Sequence, residues 1–180
     1  MRVPWYIHGN WLLDPTQLTD LENNILKVGN YSNNLCTTYP NDFEELGFLK
    51  NFYKDRVDEI AKDQAFYHNS SYIYEFWVQI YNKNSTHDIH THFELGKNVE
   101  ISFVHFLRTT NTQCLQFTNT KEIEIPQQKD GDLIVFPSYV SHQVISHTSN
   151  YNRIVVAGNI KIIKHENQSR DFLSTHPGGL

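Results

Sequence analysis

Two histidines one residue apart, His90 and His92, have the spacing in this chain that most directly suggests chemistry. In an extended segment alternate side chains share a face, so both imidazoles would lie on the same side of the chain. His142 follows an apolar run and can add a third imidazole. Imidazole binds iron, zinc, nickel and copper alike, so the three side chains predict a metal site without selecting the metal. Because the chain contains 10 histidines, the pair taken alone also fits a polar loop that binds nothing.

Arg153 is the next candidate for chemistry. It begins an alternating segment in which Arg153, Val155 and Ala157 share one face and Ile154 and Val156 lie on the other. An arginine on a face of small residues predicts a guanidinium that points inward and can pair with a planar anion. A surface arginine at a strand end is the alternative interpretation. The three histidines nearby in the predicted fold favour the inward arginine.

The sequence that must position these side chains is strand-like from residue 72 onward. Short segments rich in β-branched and aromatic residues alternate with Asn, Gly, Asp, Ser and Lys clusters, which is typical of strands joined by turns. The predicted strands are residues 72–83, 101–108, 114–118, 122–126, 132–136, 143–146 and 153–163. Gly131 and Asp132 predict a tight turn before a buried strand, and Pro137 would end that strand ahead of His142.

Helical patterns precede these strands. Residues 1–13 look extended, and Asp14 and Pro15 then predict an N-cap and first helical position of a helix that Gly29 ends. A polar loop at residues 30–34 leads to apolar residues at helical spacing over 43–65, which predict one long helix with a break at Gly47. Helices followed by closely spaced strands predict a mainly β fold with flanking helices, built as a β-sandwich or small barrel.

The chain length of 180 residues is typical of a single domain, spanning residues 1–180. We divide it into a helical support region at 1–70, a β core at 71–163 and a polar tail at 164–180. The sequence does not indicate an oligomeric state.

Composition narrows the partners and the compartment. A net charge of −5 gives no general attraction to nucleic acid or to acidic membranes, so neither is predicted as a partner. With only Cys36 and Cys114, a disulfide framework is not expected and a reducing compartment is favoured. No N-terminal secretion signal is evident, and no segment approaches the roughly 18 to 20 apolar residues of a membrane span. We therefore expect a cytoplasmic protein.

Four segments together resemble the Fe(II)/2-oxoglutarate-dependent oxygenases, especially small members found in marine bacteria and tailed phages. They are HTH at 90–92, ISFVHFL at 101–107, GDLIVFPSYVSH at 131–142 and RIVVAGN at 153–159. The similarity covers roughly residues 75 to 160. It implies a double-stranded β-helix (jelly-roll, cupin-like) barrel, Fe(II) as cofactor and 2-oxoglutarate as cosubstrate. The implied reaction is hydroxylation of a small-molecule or peptide substrate by O2, with conversion of 2-oxoglutarate to succinate and CO2; a phage origin would also be consistent with it.

By the same resemblance, His90 and His142 are iron ligands and Arg153 pairs with the distal carboxylate of 2-oxoglutarate. Tyr81, on the strand before the histidine pair, is a second contact to that carboxylate. The polar side chains of Gln79, Asn82, Ser102 and Asn159 would surround the site, without assigned roles.

One position departs from the wider superfamily, which has His-x-Asp or His-x-Glu where this chain has His90 and His92. Three ligand sets follow. The first is the all-histidine set of His90, His92 and His142. In the second, His92 and Glu94 form a His-x-Glu pair that binds the metal together with His142. The third takes its carboxylate from Glu100. The all-histidine set ranks first, and the choice stays open at this stage.

Two other functions fit parts of the pattern. The segment 131–142 also suits a cupin-type metalloenzyme that needs no 2-oxoglutarate, and in such a protein Arg153 would have no cosubstrate to hold. A non-catalytic β-barrel binding or structural module would bind no metal at all.

Among the remaining histidines, His105 lies mid-strand and is predicted to be a hydrogen-bonded core residue rather than a ligand. Surface positions are predicted for the others: His8, His68, His87, His147, His165 and His176.

Overall fold

The computed structural model describes residues 4–32, 34–40, 46–63, 70–93, 99–118 and 122–164. Within these ranges the chain forms ten strands and two helices. In chain order they are β1 (Tyr6–Asn10), α1 (Pro15–Val28), β2 (Asn30–Ser32), β3 (Leu35–Thr37), α2 (Gly47–Asp63), β4 (Ser70–Tyr81), β5 (His87–His90), β6 (Val99–Arg108), β7 (Leu115–Phe117), β8 (Asp132–Pro137), β9 (His142–Val144) and β10 (Arg153–Lys164).

The strands form two antiparallel sheets. The major sheet has the order β1-β8-β6-β10-β4-β3-β2, and the minor sheet has the order β5-β9-β7. Strand β10 lies between β4 and β6 and pairs with both along most of its length. Two antiparallel sheets with flanking helices confirm the predicted fold class.

The core has two layers, one on each face of the major sheet. Helices α1 and α2 bury Ile25 and Leu49 against the outer face, together with Ile154 and Val156 of β10. The face toward the minor sheet buries a second cluster that includes Val155, Ala157, Tyr81, Phe106 and Phe136. The alternation predicted from Arg153 to Ala157 is confirmed, since Val155 and Ala157 face the minor sheet while Ile154 and Val156 face the helices.

Helix α1 begins and ends where the sequence predicts. The Asp14 carboxylate accepts a hydrogen bond from the backbone N–H of Thr16 at 2.8 Å, and Gly29 is the C-cap. An ion pair of 2.7 Å between Arg108 and Glu22 ties this helix to β6. The predicted tight turn before β8 is also present, with Gly131 at a φ of 87°.

Helix α2 begins at Gly47, the position of the predicted break, and residues 41–45 lie outside the described ranges. Two other sequence predictions about secondary structure were wrong. Residues 30–34 were expected to be a loop, yet Asn30–Ser32 and Leu35–Thr37 pair as strands and extend the major sheet, with the Cys36 side chain fully buried.

The second wrong prediction concerns residues 122–126, which form only an isolated bridge between Glu124 and Phe117. The physical reason is the buried amide of Gln128. It accepts from the backbone N–H of Leu115 and donates to the carbonyl oxygens of Leu115 and Pro126. That side chain takes the hydrogen bonds at β7 that a neighbouring strand would make. The predicted tail at 165–180 lies outside the described residues. No helix in the described ranges is long and apolar enough to cross a membrane.

Candidate functional site

The three histidines of the all-histidine set meet at one end of the minor sheet. His90 ends β5 and is the register partner of His142, which begins β9. His92 follows, held by a hydrogen bond from its backbone N–H to the Ser138 carbonyl oxygen at 3.0 Å. One ring nitrogen from each histidine lies within 4.8 Å of the other two. His142 is buried and the other two are half-buried, so the group is accessible from one side.

Each of the three rings is oriented by a hydrogen bond at Nδ1. The Nδ1 of His90 is 2.7 Å from the Asp88 carbonyl oxygen, and that of His142 is 3.0 Å from the Val140 carbonyl oxygen. A carbonyl oxygen only accepts, so these Nδ1 atoms carry the proton and donate it. The Nε2 lone pairs are then left for a metal, which is the arrangement that outer hydrogen bonds give to metal-binding histidines.

His92 is oriented by side chains rather than by backbone. Its Nδ1 is 2.6 Å from Oδ1 of Asn159 and 3.0 Å from the hydroxyl of Ser102. The Asn159 amide is itself fixed, because its Nδ2 donates to Glu75 at 3.1 Å. Ser102 and Asn159, which the sequence placed near the site without roles, therefore hold His92 in place.

Burial keeps the imidazoles of His92 and His142 neutral. It lowers the pKa of His92 to about 4, an effect that the Asn159 hydrogen bond opposes and the nearby His90 reinforces. Burial also lowers the pKa of His142 to about 3, again reinforced by His90. A neutral imidazole is the form that binds a metal, so at neutral pH His92 and His142 need lose no proton to do so.

Arg153 and Tyr81 lie deeper, on neighbouring strands of the major sheet. They are register partners, and the guanidinium carbon of Arg153 is 4.9 Å from the centre of the Tyr81 ring. Arg153 is only 1% exposed, and its Nε and Nη1 have no hydrogen-bond partner. Burial lowers the pKa of Arg153. A buried charge with unsatisfied donors is costly, and an anion that binds there would remove that cost.

Tyr81 does not supply that anion. Burial raises the pKa of its hydroxyl to about 12, although the neighbouring Arg153 opposes the shift. The protonated hydroxyl donates to Oε1 of Gln79 at 3.0 Å. The Tyr81 side chain is thus a neutral hydrogen-bonding group beside a guanidinium that has two unpartnered nitrogens.

The histidines separate two spaces. The inner pocket, about 30 Å³, is lined by Arg153, Tyr81 and the three histidines, with apolar walls such as Val104. An outer cavity of about 440 Å³ opens on the other side of His90 and His92. A molecule in the outer cavity would therefore face the histidines from the side opposite Arg153.

His87 was predicted to be a surface residue, and that prediction was wrong. It is half-buried, stacks on His90 with 4.3 Å between ring centres, and lines both spaces. Strict alternation would put residues 87 and 90 on opposite faces. A bulge lies between them in β5: the three residue steps from His87 to His90 pair with only two steps in β9, from Val144 to His142. The bulge turns both rings to the same side. The position of His87 at the site could have been predicted only by predicting this bulge.

Two other surface predictions were also wrong. His147 is buried, with Nε2 3.1 Å from the Tyr81 carbonyl oxygen, and the side chain of His8 is 5% exposed. The prediction for His105 was correct, since it is fully buried and both ring nitrogens are hydrogen-bonded. His68, His165 and His176 lie outside the described residues.

The carboxylate alternatives for the third ligand stay predictions. Glu94 lies outside the described residues, and only the backbone of Glu100 is described, as part of β6. The three histidines are the group of potential ligands that the described part of the chain brings together.

Solved structures with this fold are similar over most of the chain. A prolyl-4-hydroxylase from Pseudomonas putida has 15% sequence identity and a TM-score of 0.66, covering 91% of this chain and 94% of its own. A prolyl hydroxylase from Trichoplax adhaerens, in complex with a hypoxia inducible factor peptide fragment, has 13% identity and a TM-score of 0.65, covering 87% and 83%. HygX from Streptomyces hygroscopicus, with nickel, 2-oxoglutarate and hygromycin B bound, has 9% identity and a TM-score of 0.64, covering 88% and 83%.

At these identities the likeness is one of fold: the chain has the jelly-roll, double-stranded β-helix architecture that the sequence predicted. No protein-family model and no curated protein sequence matches the chain.

Proposed function

We propose that this protein is an Fe(II)- and 2-oxoglutarate-dependent oxygenase. In this proposal His90, His92 and His142 hold the iron, Arg153 binds the distal carboxylate of 2-oxoglutarate, and the Tyr81 hydroxyl is a second contact to that carboxylate. The observation that carries it is the buried Arg153, with two unpartnered nitrogens, in a pocket that the three histidines also line. HygX, a protein of the same fold, has been solved with nickel and 2-oxoglutarate bound, which supports the choice of cosubstrate.

The donor set fits a metal ion of this kind. Three imidazole donors suit Fe(II), and three protein ligands leave further positions for cosubstrate and oxygen. The Nδ1 hydrogen bonds of His90, His92 and His142 fix the ring orientations before the metal arrives. Asn159 and Ser102 serve this positioning role for His92 and connect it to β10 and β6.

The deep side of the pocket fits a carboxylate. The unpartnered Nε and Nη1 of Arg153 leave N–H donors of a planar, charged guanidinium for the oxygens of a carboxylate. The neutral Tyr81 hydroxyl can donate to the same anion by releasing Gln79. The inner pocket, about 30 Å³, is smaller than a five-carbon dicarboxylate. We infer that His87, which separates this pocket from the outer cavity, moves aside when 2-oxoglutarate binds.

Fe(II) and 2-oxoglutarate, when bound, supply the oxidation of a C–H bond by O2 with formation of succinate and CO2, and hydroxylation is the outcome we propose. The protein's own contribution is positional. Arg153 and Tyr81 anchor the cosubstrate, and apolar walls such as Val104 and Val144 exclude water. His90 and His92 line the outer cavity, where a substrate would lie. A small molecule or a peptide segment fits that cavity. The proteins of the same fold include one solved with a peptide fragment and one solved with hygromycin B.

Anaerobic titration with Fe(II) and then 2-oxoglutarate tests the proposal. Chelation of the cosubstrate to iron produces a visible metal-to-ligand charge-transfer band, which we expect in the wild-type protein. In Arg153→Ala the band should require at least about 30-fold more 2-oxoglutarate, since a buried charge pair has lost one partner. Arg108→Ala is the matched control, because it removes an arginine that pairs with Glu22 of α1 and does not line the pocket, and it should titrate like the wild type.

The outcomes separate the competing functions. Tight Fe(II) binding without a band would favour a cupin-type enzyme that uses no 2-oxoglutarate. Absence of metal binding would favour a non-catalytic β-barrel module.

A further inference from the structure

The outer cavity has the size of a binding site for a small organic molecule or an amino-acid side chain. Its volume of about 440 Å³ falls within the range of typical ligand pockets. His90 and His92 form its inner wall, and Trp77 and Gln79 line both this cavity and the inner pocket. A ligand held here would thus be presented to the histidines from the open side.

An aromatic corner forms one wall of this cavity. The rings of Tyr39 and Trp77 are 5.2 Å apart at an interplanar angle of 62°. Trp77 also packs against His92, with 5.8 Å between ring centres. Tyr39 is 53% exposed, so its ring is available to a ligand. Two aromatic rings set at such an angle present electron-rich faces, which attract cations.

The charges around this corner are negative. Glu75 and Asp88 line the cavity, and no lysine or arginine does so among the described residues. Glu75 is already engaged, with Lys161 at 3.3 Å and Asn159 at 3.1 Å. The exposed Asp88 carboxylate forms no ion pair with a lysine or arginine in the described part of the chain. It is the carboxylate free to pair with a ligand.

We propose that the outer cavity binds substrates that carry a cationic nitrogen group, such as a lysine side chain or another primary ammonium compound. The ammonium group lies against Tyr39 and Trp77 and pairs with Asp88, while the rest of the molecule extends toward His90 and His92. An anionic ligand would meet the exposed Asp88 carboxylate, and no described lysine or arginine lines the cavity to offset it, since Lys161 is already paired with Glu75. This inference names the substrate class of the proposed oxygenase, and so rests on it for the reaction, but the binding itself needs neither iron nor 2-oxoglutarate.

The test uses three matched probes on the full chain, kept metal-free with EDTA. They are the N-acetyl, N-methylamide derivatives of lysine, norleucine and glutamate, titrated by ligand-observed NMR. Lysine and norleucine derivatives share the aliphatic chain and differ in the ammonium group. We expect the lysine derivative to bind at least about fivefold more tightly than the norleucine derivative, and the glutamate derivative most weakly.

Variants locate the binding. Asp88→Asn and Tyr39→Leu should each weaken binding of the lysine derivative by about threefold while leaving the norleucine derivative unchanged. Asp20→Asn and Tyr151→Leu are the controls, because they change an exposed carboxylate on α1 and a similarly exposed tyrosine outside the cavity. Equal binding of the lysine and norleucine derivatives, no binding of either, or equal losses in the control variants would each overturn the inference.

The outcome of this binding experiment does not depend on the outcome of the charge-transfer titration. A band with 2-oxoglutarate but no preference for the ammonium probe would leave the oxygenase intact and remove the substrate class. A clear ammonium preference without a band would leave a cation-binding cavity beside a site of another chemistry.

Discussion

Tyr53 with His105 and Tyr81 with Arg153 are two buried pairs on opposite faces of the major sheet. On the helix side, the Tyr53 hydroxyl is 2.6 Å from Nδ1 of His105, and Nε2 is 2.8 Å from the Trp11 carbonyl oxygen. Both ring nitrogens of His105 therefore have a hydrogen-bond partner. On the side of the minor sheet, Arg153 has two nitrogens with none.

The difference distinguishes a structural group from a binding group. A buried polar side chain with all its hydrogen bonds made contributes to stability and has no capacity left for a ligand. A buried charge with unused donors lowers stability until something binds to it. Each pair joins a tyrosine to a buried nitrogen-bearing side chain on a central strand, His105 on β6 and Arg153 on β10. Hydrogen-bond satisfaction, rather than burial, therefore distinguishes Arg153 from His105.

The largest expected effect is on metal binding. His142→Ala removes one of the three proposed ligands and should weaken Fe(II) affinity by at least about 100-fold. His105→Gln removes an equally buried imidazole on the other face and should leave metal affinity unchanged. Anaerobic titration with Fe(II), or with Co(II) followed by its visible absorption, measures both. A similar loss in the two variants would show that the distinction between the faces is wrong.

The second effect is on stability, and its sign should differ between the two faces. Arg153→Met replaces an unpaired charge with an apolar chain, so we expect the ligand-free protein to unfold at equal or higher urea concentration. His105→Leu leaves the Tyr53 hydroxyl and the Trp11 carbonyl oxygen unpaired, which should lower the free energy of unfolding by about 1 to 3 kcal/mol. Urea unfolding of both variants without metal measures the difference. Destabilisation of Arg153→Met by as much as His105→Leu would mean that Arg153 is a structural residue.

The smallest expected effect is on the pH dependence of folding stability, in the part that His105 contributes on the helix side of the major sheet. Burial lowers the pKa of His105 to about 4 from an ordinary value of 6.5, although its backbone hydrogen bonds oppose the shift. The unfolded chain therefore takes up a proton below about pH 6.5, whereas the folded state does so only near pH 4. Stability from this group is complete above pH 6.5 and decreases as the pH falls toward 4.

Between pH 7 and pH 5 the loss should be about 1 to 2 kcal/mol. In His105→Gln this part of the pH dependence should be absent. Urea unfolding at the two pH values, with EDTA present, measures it, and an unchanged slope in the variant would contradict the assignment. Adding metal should not alter the contribution of His105, because it lies on the other face of the sheet.

Much of the site could be predicted from sequence because its residues follow simple spacing rules. His90 and His92 are two apart, His142 begins the strand after a predicted turn, and Arg153 has the same parity in β10 as Val155. Strand alternation alone places such residues on shared faces. The longer strands and helix α1 were predictable for the same reason, since each repeats its pattern over several residues.

The missed features depend on contacts that no local pattern encodes. Strands β2 and β3 are three residues each, too short to show a period, and they form because β4 offers a free edge. His87 reaches the site through a bulge, which breaks the alternation that the prediction relied on. Residues 122–126 have strand-like composition, but Gln128 occupies the hydrogen-bonding groups they would need.

The placement of the site across two sheets of unequal size has a consequence for amide hydrogen exchange. Arg153 lies on β10, which is paired on both sides, whereas His90 lies on β5, which pairs with β9 at His87 and His90. Amides of β10 should exchange only when the whole protein unfolds, and those of β5 and β9 through local opening. A ligand that contacts Arg153 and the histidines together would join the two sheets. Its binding should then slow exchange chiefly in the minor sheet, leaving β10 nearly unchanged.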